Sequence, residues 1–365
     1  MSNTGNSEQT ALSSYVADAL ASLSADQLLF IKQLPKAELH AHLNGCIPIT
    51  VLQQLASQYT SAEAASSQSV LPDAVKAGVD RLTKGITLDQ IHDFFGLFPA
   101  IYALTSSPEP LALATRAVLA QFLDPSPIDG YPQAAYLELR STPRESPAMT
   151  RLKYVQTVLD EVEKYPPHQA ALIVSLDRRM SDAVASECID CAVSLRKAGR
   201  RVVGIDLCGD PLQRYAYPHH ILERFTTPSP LSISPSSHFT QQTRDNPLVE
   251  TLQLLSYAPN RLGHATFLGD AEKDFVHGSK ICVEICLSSN LLCKTVQNLN
   301  DHHIAHYLKH NHPIAVCTDD TLPFRNTLVG EYALLMAKPP LGLGLSEEEV
   351  ERIAKMGMEC RFKST

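Results

Sequence analysis

Apolar runs bounded by polar or turn residues alternate along this chain with stretches whose apolar positions repeat at helical spacing. The runs 37–43, 135–141, 170–176, 202–207, 231–238, 261–267, 281–287 and 314–318 read as strands. The stretches 111–122, 149–163, 182–197 and 247–257 read as helices between them. Repeated strand-then-helix units imply parallel pairing, and eight of them predict an α/β fold of the closed (β/α)8 TIM-barrel type, with the working face at the strand C-terminal ends. The polar residues obey that rule: His42, Thr142, Asp177, Gly209, His264, Ser288 and Asp319 each lie at or just beyond the end of a run. Residues 1–33 are expected to form an N-terminal arm, helical over 17–33, and 34–365 a single barrel domain with a helical insertion, 53–97, after the first strand. Such an insertion reads equally well as a lid or as a surface excursion.

Composition narrows the class. A chain of 365 residues with 44% hydrophobic content can bury a large core, and barrels of this kind run long as single domains. A net charge of −8 without any basic run argues against a nucleic-acid partner. No apolar stretch approaches the roughly 18 residues of a membrane span, and the Ser/Gln/Thr-rich start lacks the regions of a signal peptide. A cytoplasmic protein with a small-molecule partner and no membrane partner is expected, with a monomer as the expected state. The nine cysteines are an odd count set mostly in strand-like runs, so buried thiols are expected rather than a disulfide framework. Cys188-Ile-Asp-Cys191 has redox spacing, but it sits in the amphipathic 182–197 helix and is assigned to packing.

The chemistry begins at Leu34-Pro-Lys-Ala-Glu-Leu-His-Ala-His-Leu-Asn-Gly45, which sets two imidazoles, His40 and His42, two residues apart. On a strand both rings leave one face and can grip one metal ion. An isolated pair of this kind is weak evidence. Near the other end Thr318-Asp319-Asp320 sets two adjacent carboxylates after an apolar run. An early His-x-His, a mid-chain His and a late Asp is similar to the ligand pattern of metal-dependent hydrolases of the amidohydrolase type.

Further stretches sharpen the likeness: Leu104-Thr-Ser-Ser-Pro-Glu109, Tyr136-Leu-Glu-Leu-Arg-Ser-Thr-Pro-Arg144, Asp177-Arg-Arg179, Gly204-Ile-Asp-Leu-Cys-Gly-Asp-Pro211, Arg261-Leu-Gly-His-Ala-Thr-Phe-Leu268, Glu284-Ile-Cys-Leu-Ser-Ser-Asn290 and Cys317-Thr-Asp-Asp320. In this order they resemble the adenosine/AMP deaminase family, and within it the adenosine deaminase-like subgroup acting on N6-methyl-AMP. The resemblance implies one Zn2+ per chain held by His40, His42, Asp319 and a histidine at the end of strand five. It implies that His264 orients or deprotonates water and that Asp320 accepts from the water or reads the base. It also implies a purine nucleotide approached by His42 and Asn44. Ser141, Thr142, Pro143 and Arg144 then line its phosphate and sugar, and Asp177 and Gly209 complete the pocket. Zinc held by neutral imidazoles and a carboxylate lowers the pKa of water enough for hydrolysis at neutral pH, and guanidinium suits a phosphate.

Two positions depart from the family. Tyr102 stands where relatives usually carry a histidine, and it can donate one hydrogen bond. Strand five should end in His-x-x-Glu, whose Glu shuttles a proton to the purine. Here the stretch reads Thr226-Thr-Pro-Ser-Pro-Leu-Ser-Ile-Ser-Pro-Ser-Ser-His-Phe-Thr-Gln241, which places the fourth ligand on His238 and Gln241 in the acid's position. His220-Ile-Leu-Glu223 has the spacing but follows Pro211 too closely and reads as the preceding helix. Glutamine can hydrogen-bond a ring nitrogen but cannot deliver a proton. Prolines in a central strand are also unexpected. Two explanations compete: a barrel that lost its proton shuttle and binds nucleotide or metal, or a faulty gene model or splice form, which the abrupt end at Met356-Gly-Met-Glu-Cys-Arg-Phe-Lys-Ser-Thr365 favours weakly. The favoured reaction is N6-methyl-AMP plus water to IMP plus methylamine. The alternatives are the impaired binding barrel and a deaminase of adenosine.

Overall fold

The computed structural model describes residues 12–65, 73–84, 96–209, 234–237, 252 and 254–362. Eight strands, β1 (Ala37–His42), β2 (Tyr136–Ser141), β3 (Ala170–Asp177), β4 (Val202–Cys208), β5 (Ser234–Ser237), β6 (Arg261–Gly263), β7 (Cys282–Ile285) and β8 (Ile314–Val316), form one sheet in the order β1 to β8. Every neighbouring pair is parallel. The strands read as continuous apolar runs because a parallel sheet with helices outside and side chains packed inside is buried on both faces. Their outward residues, among them Leu137, Leu172, Val174, Ile205, Leu262, Val283 and Ile314, join the main core beneath the helices. Glu38 ties the first strand to the last: its carboxylate accepts from the Thr318 amide at 2.9 Å and hydroxyl at 2.8 Å. This is the (β/α)8 barrel architecture that the strand count predicts.

The differences from expectation have local causes. Strand one ends at His42 rather than Leu43, because Leu43–Cys46 turns into a helix. Strand six stops at Gly263, since His264 and Ala265 take positive φ (57° and 50°) and cannot continue a ladder. Strand seven stops at Ile285, with a helix starting at Leu287. The 17–33 arm is two helices, Ser14–Ser22 and Ala25–Gln33. They divide at Ser24, whose hydroxyl accepts from the Gln27 amide while Gln27 Oε1 accepts from the Ser24 amide, a reciprocal cap that starts the second helix. The arm packs on the helix Leu328–Met336, where a Cβ on Gly330 would stand 2.3 Å from Val16 Cγ1. The insertion begins earlier than residue 53, with helices Ile49–Ala65 and Asp73–Lys84 packing on each other and on Phe98–Leu104.

Four residues of the unusual proline- and serine-rich stretch do pair as strand five, with Pro235 opposite Ile205. Most of the 247–257 helix, together with His238 and Gln241, lies outside the described residues. The cysteines are unbridged; seven are buried, and Cys293 and Cys360 are partly exposed.

Inside the barrel runs a layer of charge. Arg140 meets Asp206 at 3.2 Å and also Glu284, while Arg261 meets Glu284 at 2.8 Å and Glu138 at 2.6 Å, all fully buried. The end of the described chain covers one side of it: the Phe362 amide donates to Glu138 at 2.7 Å and its ring lies 3.7 Å from the Arg261 guanidinium. Ions taken out of water at this density are tolerable only because each is answered by an opposite charge.

Candidate active site

β1 carries the two imidazoles past an irregularity in its register between Glu38 and Ala41, a feature that re-aims side chains. The His40 and His42 rings lie edge-to-face with centroids 5.4 Å apart. Fully buried His40 places Nδ1 2.7 Å from Glu284 Oε2. A carboxylate only accepts, so that nitrogen carries the proton and the Nε2 lone pair is left for the barrel centre. His264, 1% exposed, stands 4.9 Å from His40 ring to ring and presents Nε2 3.3 Å from Asp319 Oδ2. Its positive φ turns it inward from the end of β6. Asp319 also has positive φ (64°). Its carboxylate accepts from the Ser289 hydroxyl at 2.9 Å and lies 3.9 Å from His42 Nε2, while its carbonyl accepts from the Cys46 thiol at 3.2 Å. Two strained residues facing one another mark a site where surrounding packing over-determines the backbone.

The donor atoms of His40, His264, Cys286 and Asp319 all lie within 4.8 Å of one another, and all four residues are buried. His42 flanks this group. Beside it, burial and the adjacent Asp319 push the Asp320 carboxyl well above the ordinary carboxylate range. Asp320 Oδ1 is buried with no hydrogen-bond partner among the described residues. Asp319 and Asp320, adjacent carboxylates, are an electrostatically unfavourable pair, because the buried Arg140 and Arg261 are already engaged by Glu138, Asp206 and Glu284. A dication answers that imbalance, and N and O donors backed by a carboxylate–histidine pair are those zinc takes.

Gly45 is dictated by the same corner: a Cβ there would fall 1.8 Å from Asp320 Oδ1, inside the carboxylate itself. That accounts physically for Leu-Asn-Gly after His-x-His. Asn44, in the same helical turn, is buried with Nδ2 without a partner among the described residues.

The residues expected to line the substrate make the following contacts. The Tyr102 ring is a platform with the Arg144 guanidinium carbon 3.2 Å from the centroid, a contact that leaves its hydroxyl available to donate. Burial pushes its phenol up to about 12, so it stays neutral. Arg144 keeps a buried Nε without a hydrogen-bond partner among the described residues. Of the residues before it, Ser141 is bound to the Tyr154 hydroxyl at 2.9 Å and Thr142 lies 3.7 Å from the Cys208 sulfur, while Pro143 is buried. Asp177 accepts from the Arg179 amide, Nε and Nη2 at 2.9, 2.9 and 2.6 Å. Burial alone would raise its carboxyl, but the Arg179 bonds hold it below its usual range. Gly209 has φ of +107°, and a Cβ there would come within 2.9 Å of Asp177 Oδ1.

Sequence reasoning passed over three contributors. Glu284 orients His40 and neutralises both buried arginines; a carboxylate inside the apolar run 281–287 was its signal. Cys286 sits one alternation further along the same run. Glu331 accepts from the Leu287 amide at 2.8 Å, from Asn326 Nδ2 at 2.9 Å and from the Ser288 hydroxyl, bracing the segment that carries Ser289 to Asp319. Only the fold brings Glu331 there.

Residues 35–365 match the family model described as adenosine deaminase. The chain is similar to the N6-methyl-AMP deaminase of Homo sapiens, 33% identical over 319 residues that cover 84% of this chain and 83% of that one. It is 30% identical over 363 residues to the N6-mAMP deaminase of Arabidopsis thaliana, covering 91% of this chain and 94% of that one. The crystal structure of arabidopsis ADAL complexed with IMP superposes with a TM-score of 0.75 at 28% identity, over 92% of this chain and 94% of that one. A match of this extent, over a barrel whose strand ends gather these particular groups, leads to one assignment: the chain belongs to the adenosine deaminase family and is an aminohydrolase.

Proposed function

We propose that this aminohydrolase is zinc-dependent and acts on purine nucleoside monophosphates, converting N6-methyl-AMP and water to IMP and methylamine. The observation that carries the reading is the convergence of His40, fixed by Glu284, with His264 and Asp319 beside the half-buried Asp320. His40, His42 and Asp319 would hold the metal. His238, the residue following β5 in sequence, would be the fourth ligand by family resemblance. Bound there, zinc supplies the Lewis acidity that makes water a nucleophile at neutral pH. His264 Nε2 takes a proton from the attacking water, oriented by Asp319. Asp320 hydrogen-bonds a purine ring nitrogen, and Asn44 and His42 meet the nucleotide at the same corner. The oxygen of water joins C6, the bond from C6 to the methylamino nitrogen breaks, methylamine leaves with the proton that His264 took from water, and the second proton of water ends on ring N1 as C6 becomes the carbonyl of IMP. Arg144, spread on the Tyr102 ring, would meet the phosphate, with Ser141, Thr142, Pro143, Asp177 and Gly209 completing the pocket by family resemblance. A guanidinium held flat keeps its hydrogen-bonding fork available to an oxyanion. The relatives named for N6-methyl-AMP and the arabidopsis structure holding IMP support a nucleotide over a nucleoside.

Gln241 favours a second reading, a barrel that binds nucleotide without turnover, because an amide cannot protonate the purine ring. The deciding experiment follows IMP release from N6-methyl-AMP by the zinc-loaded chain and by Gln241→Glu, with adenosine run in parallel. Turnover of the monophosphate by the original chain, raised roughly 10²-fold or more in the variant, is expected. Binding with turnover only in the variant establishes the second reading, and preference for adenosine removes the assignment to a monophosphate.

A further inference from the structure

A second gathering of imidazoles lies on the helical exterior, away from the barrel centre. The helix Asp270–Ser279 carries His277, while the helix Ile304–Lys309 carries His306 and is capped by His310, four residues further on. The three ring centroids stand 5.0, 5.0 and 4.6 Å apart. One donor nitrogen from each lies within 4.8 Å of the others, and His277 Nε2 and His306 Nε2 approach to 2.8 Å. His310 is exposed and the other two are half-buried, so the place is open to solvent.

The surrounding hydrogen bonds decide which nitrogens carry protons. The Ile281 carbonyl lies 2.7 Å from His312 Nε2, and a carbonyl only accepts, so His312 Nε2 is protonated and its Nδ1 is bare. That bare nitrogen lies 3.1 Å from His277 Nδ1, which must therefore donate and leave His277 Nε2 bare. By the same reasoning the His306 carbonyl, 2.8 Å from His310 Nδ1, leaves His310 Nε2 bare. Two lone pairs, on His277 Nε2 and His310 Nε2, thus meet beside His306 Nε2, which donates to His277 Nε2 across 2.8 Å and must pass that proton to its own Nδ1 or to solvent when a metal enters. Outer hydrogen bonds of this type orient ligating histidines and set their tautomer. Burial, with help from His310, pushes His277 and His306 below the ordinary histidine range. Lys273 and Lys309 press on His306 from the cationic side, and Asp274 beside His277 answers them.

We propose that His277, His306 and His310 form a second metal site, open to solvent, for a borderline divalent cation of the zinc, nickel or copper class. Three imidazoles with water completing the shell suit those ions and not calcium or magnesium, which prefer oxygen. The site is built without thiolate or carboxylate, so it binds more weakly than the barrel centre and exchanges with free metal.

Zinc uptake tests the site directly. The full chain is stripped with chelator, dialysed against ZnCl2 and assayed for zinc per chain, beside His306→Ala/His310→Ala and the single His310→Ala. The difference between chains is the readout, so the result stands whether or not the barrel centre loads. The double variant is expected to hold one equivalent fewer than the original chain, and the single variant to bind that equivalent at least tenfold more weakly. Should the double variant lose its far-UV dichroism, the exposed single variant decides by its affinity. Equal uptake and equal affinity in original and variant chains overturn the site.

Discussion

The two histidine gatherings use the same side chain under opposite conditions. At the barrel centre His40 is backed by an anion, Glu284, and enclosed with Asp319 and Asp320 where solvent does not reach His40. On the exterior His277 and His310 are backed by neutral acceptors, His312 and a backbone carbonyl, and water reaches them. An anionic partner raises the basicity of the ligating nitrogen, and exclusion of water strengthens each interaction around it. Under the proposed reading, the inner site is the one suited to hold a metal permanently and do chemistry, and the outer one to sample it. Imidazoles within reach of one another do not make a catalytic centre; the charges behind and beside them do.

The largest effect should come from removing the anion that only the inner site possesses. Asp319→Ala is expected to lower IMP release by roughly 10³-fold or more, since metal Lewis acidity supplies several kcal/mol. Zinc uptake by the outer histidines should be untouched, and loss of both would mean that the two sites are not independent.

Glu284→Gln comes next. It keeps a hydrogen-bond acceptor for His40 but removes the charge, and zinc retention at the centre should weaken ~10- to 100-fold. The same change strips Arg140 and Arg261 of a buried counter-charge, and the melting temperature should drop by an amount corresponding to ~3 kcal/mol or more. A variant that keeps zinc as tightly as the original chain would show that the anion behind His40 is not what separates the two sites.

Gly45→Ala tests geometry without touching a charge. Its Cβ would occupy the place of the Asp320 carboxylate, so turnover should fall about 10²-fold through misplacement while zinc content at the centre stays near its original level. Equal turnover would mean that Asp320 has room to move without consequence.

Tyr102→Ala should have the smallest effect. Without the ring beneath it, Arg144 loses its fixed pose, and KM for the monophosphate should rise roughly fivefold with kcat little changed, in keeping with a cation–π contact of about 1 kcal/mol. KM for adenosine should not move; a parallel rise would place Arg144 away from the phosphate.

Much of the inner site was legible because its parts are short-range. His-x-His on a strand, Asp-Asp after a strand and Gly-His after another each need only local periodicity to aim them, and a barrel gathers strand ends at one face whatever lies between. Helix 182–197 was legible to the residue, since Ser181 caps its start through the Val184 amide. What escaped notice needed long-range partners. Glu284 reads as an oddity in an apolar run until Arg140, Arg261 and His40 surround it from three other strands. That the Tyr102 ring carries Arg144 on its face shows only once the chain has folded. The outer cluster is the sharpest case: His306 and His310 are neighbours in sequence, but His277 comes from a different helix and His312 turns it through a bond to a strand-end carbonyl.

The sequence by itself determined the strand and helix order, the parallel barrel that follows from it and the residue types waiting at each strand end. These depend on hydrophobic period and turn chemistry, which act over a few residues. Only the tertiary structure decided which nitrogen of each histidine is bare, which carboxylate answers which arginine and why residue 45 must be glycine. Those outcomes turn on contacts between segments far apart in the chain, where a few ångströms and a change of dielectric set the sign of the interaction.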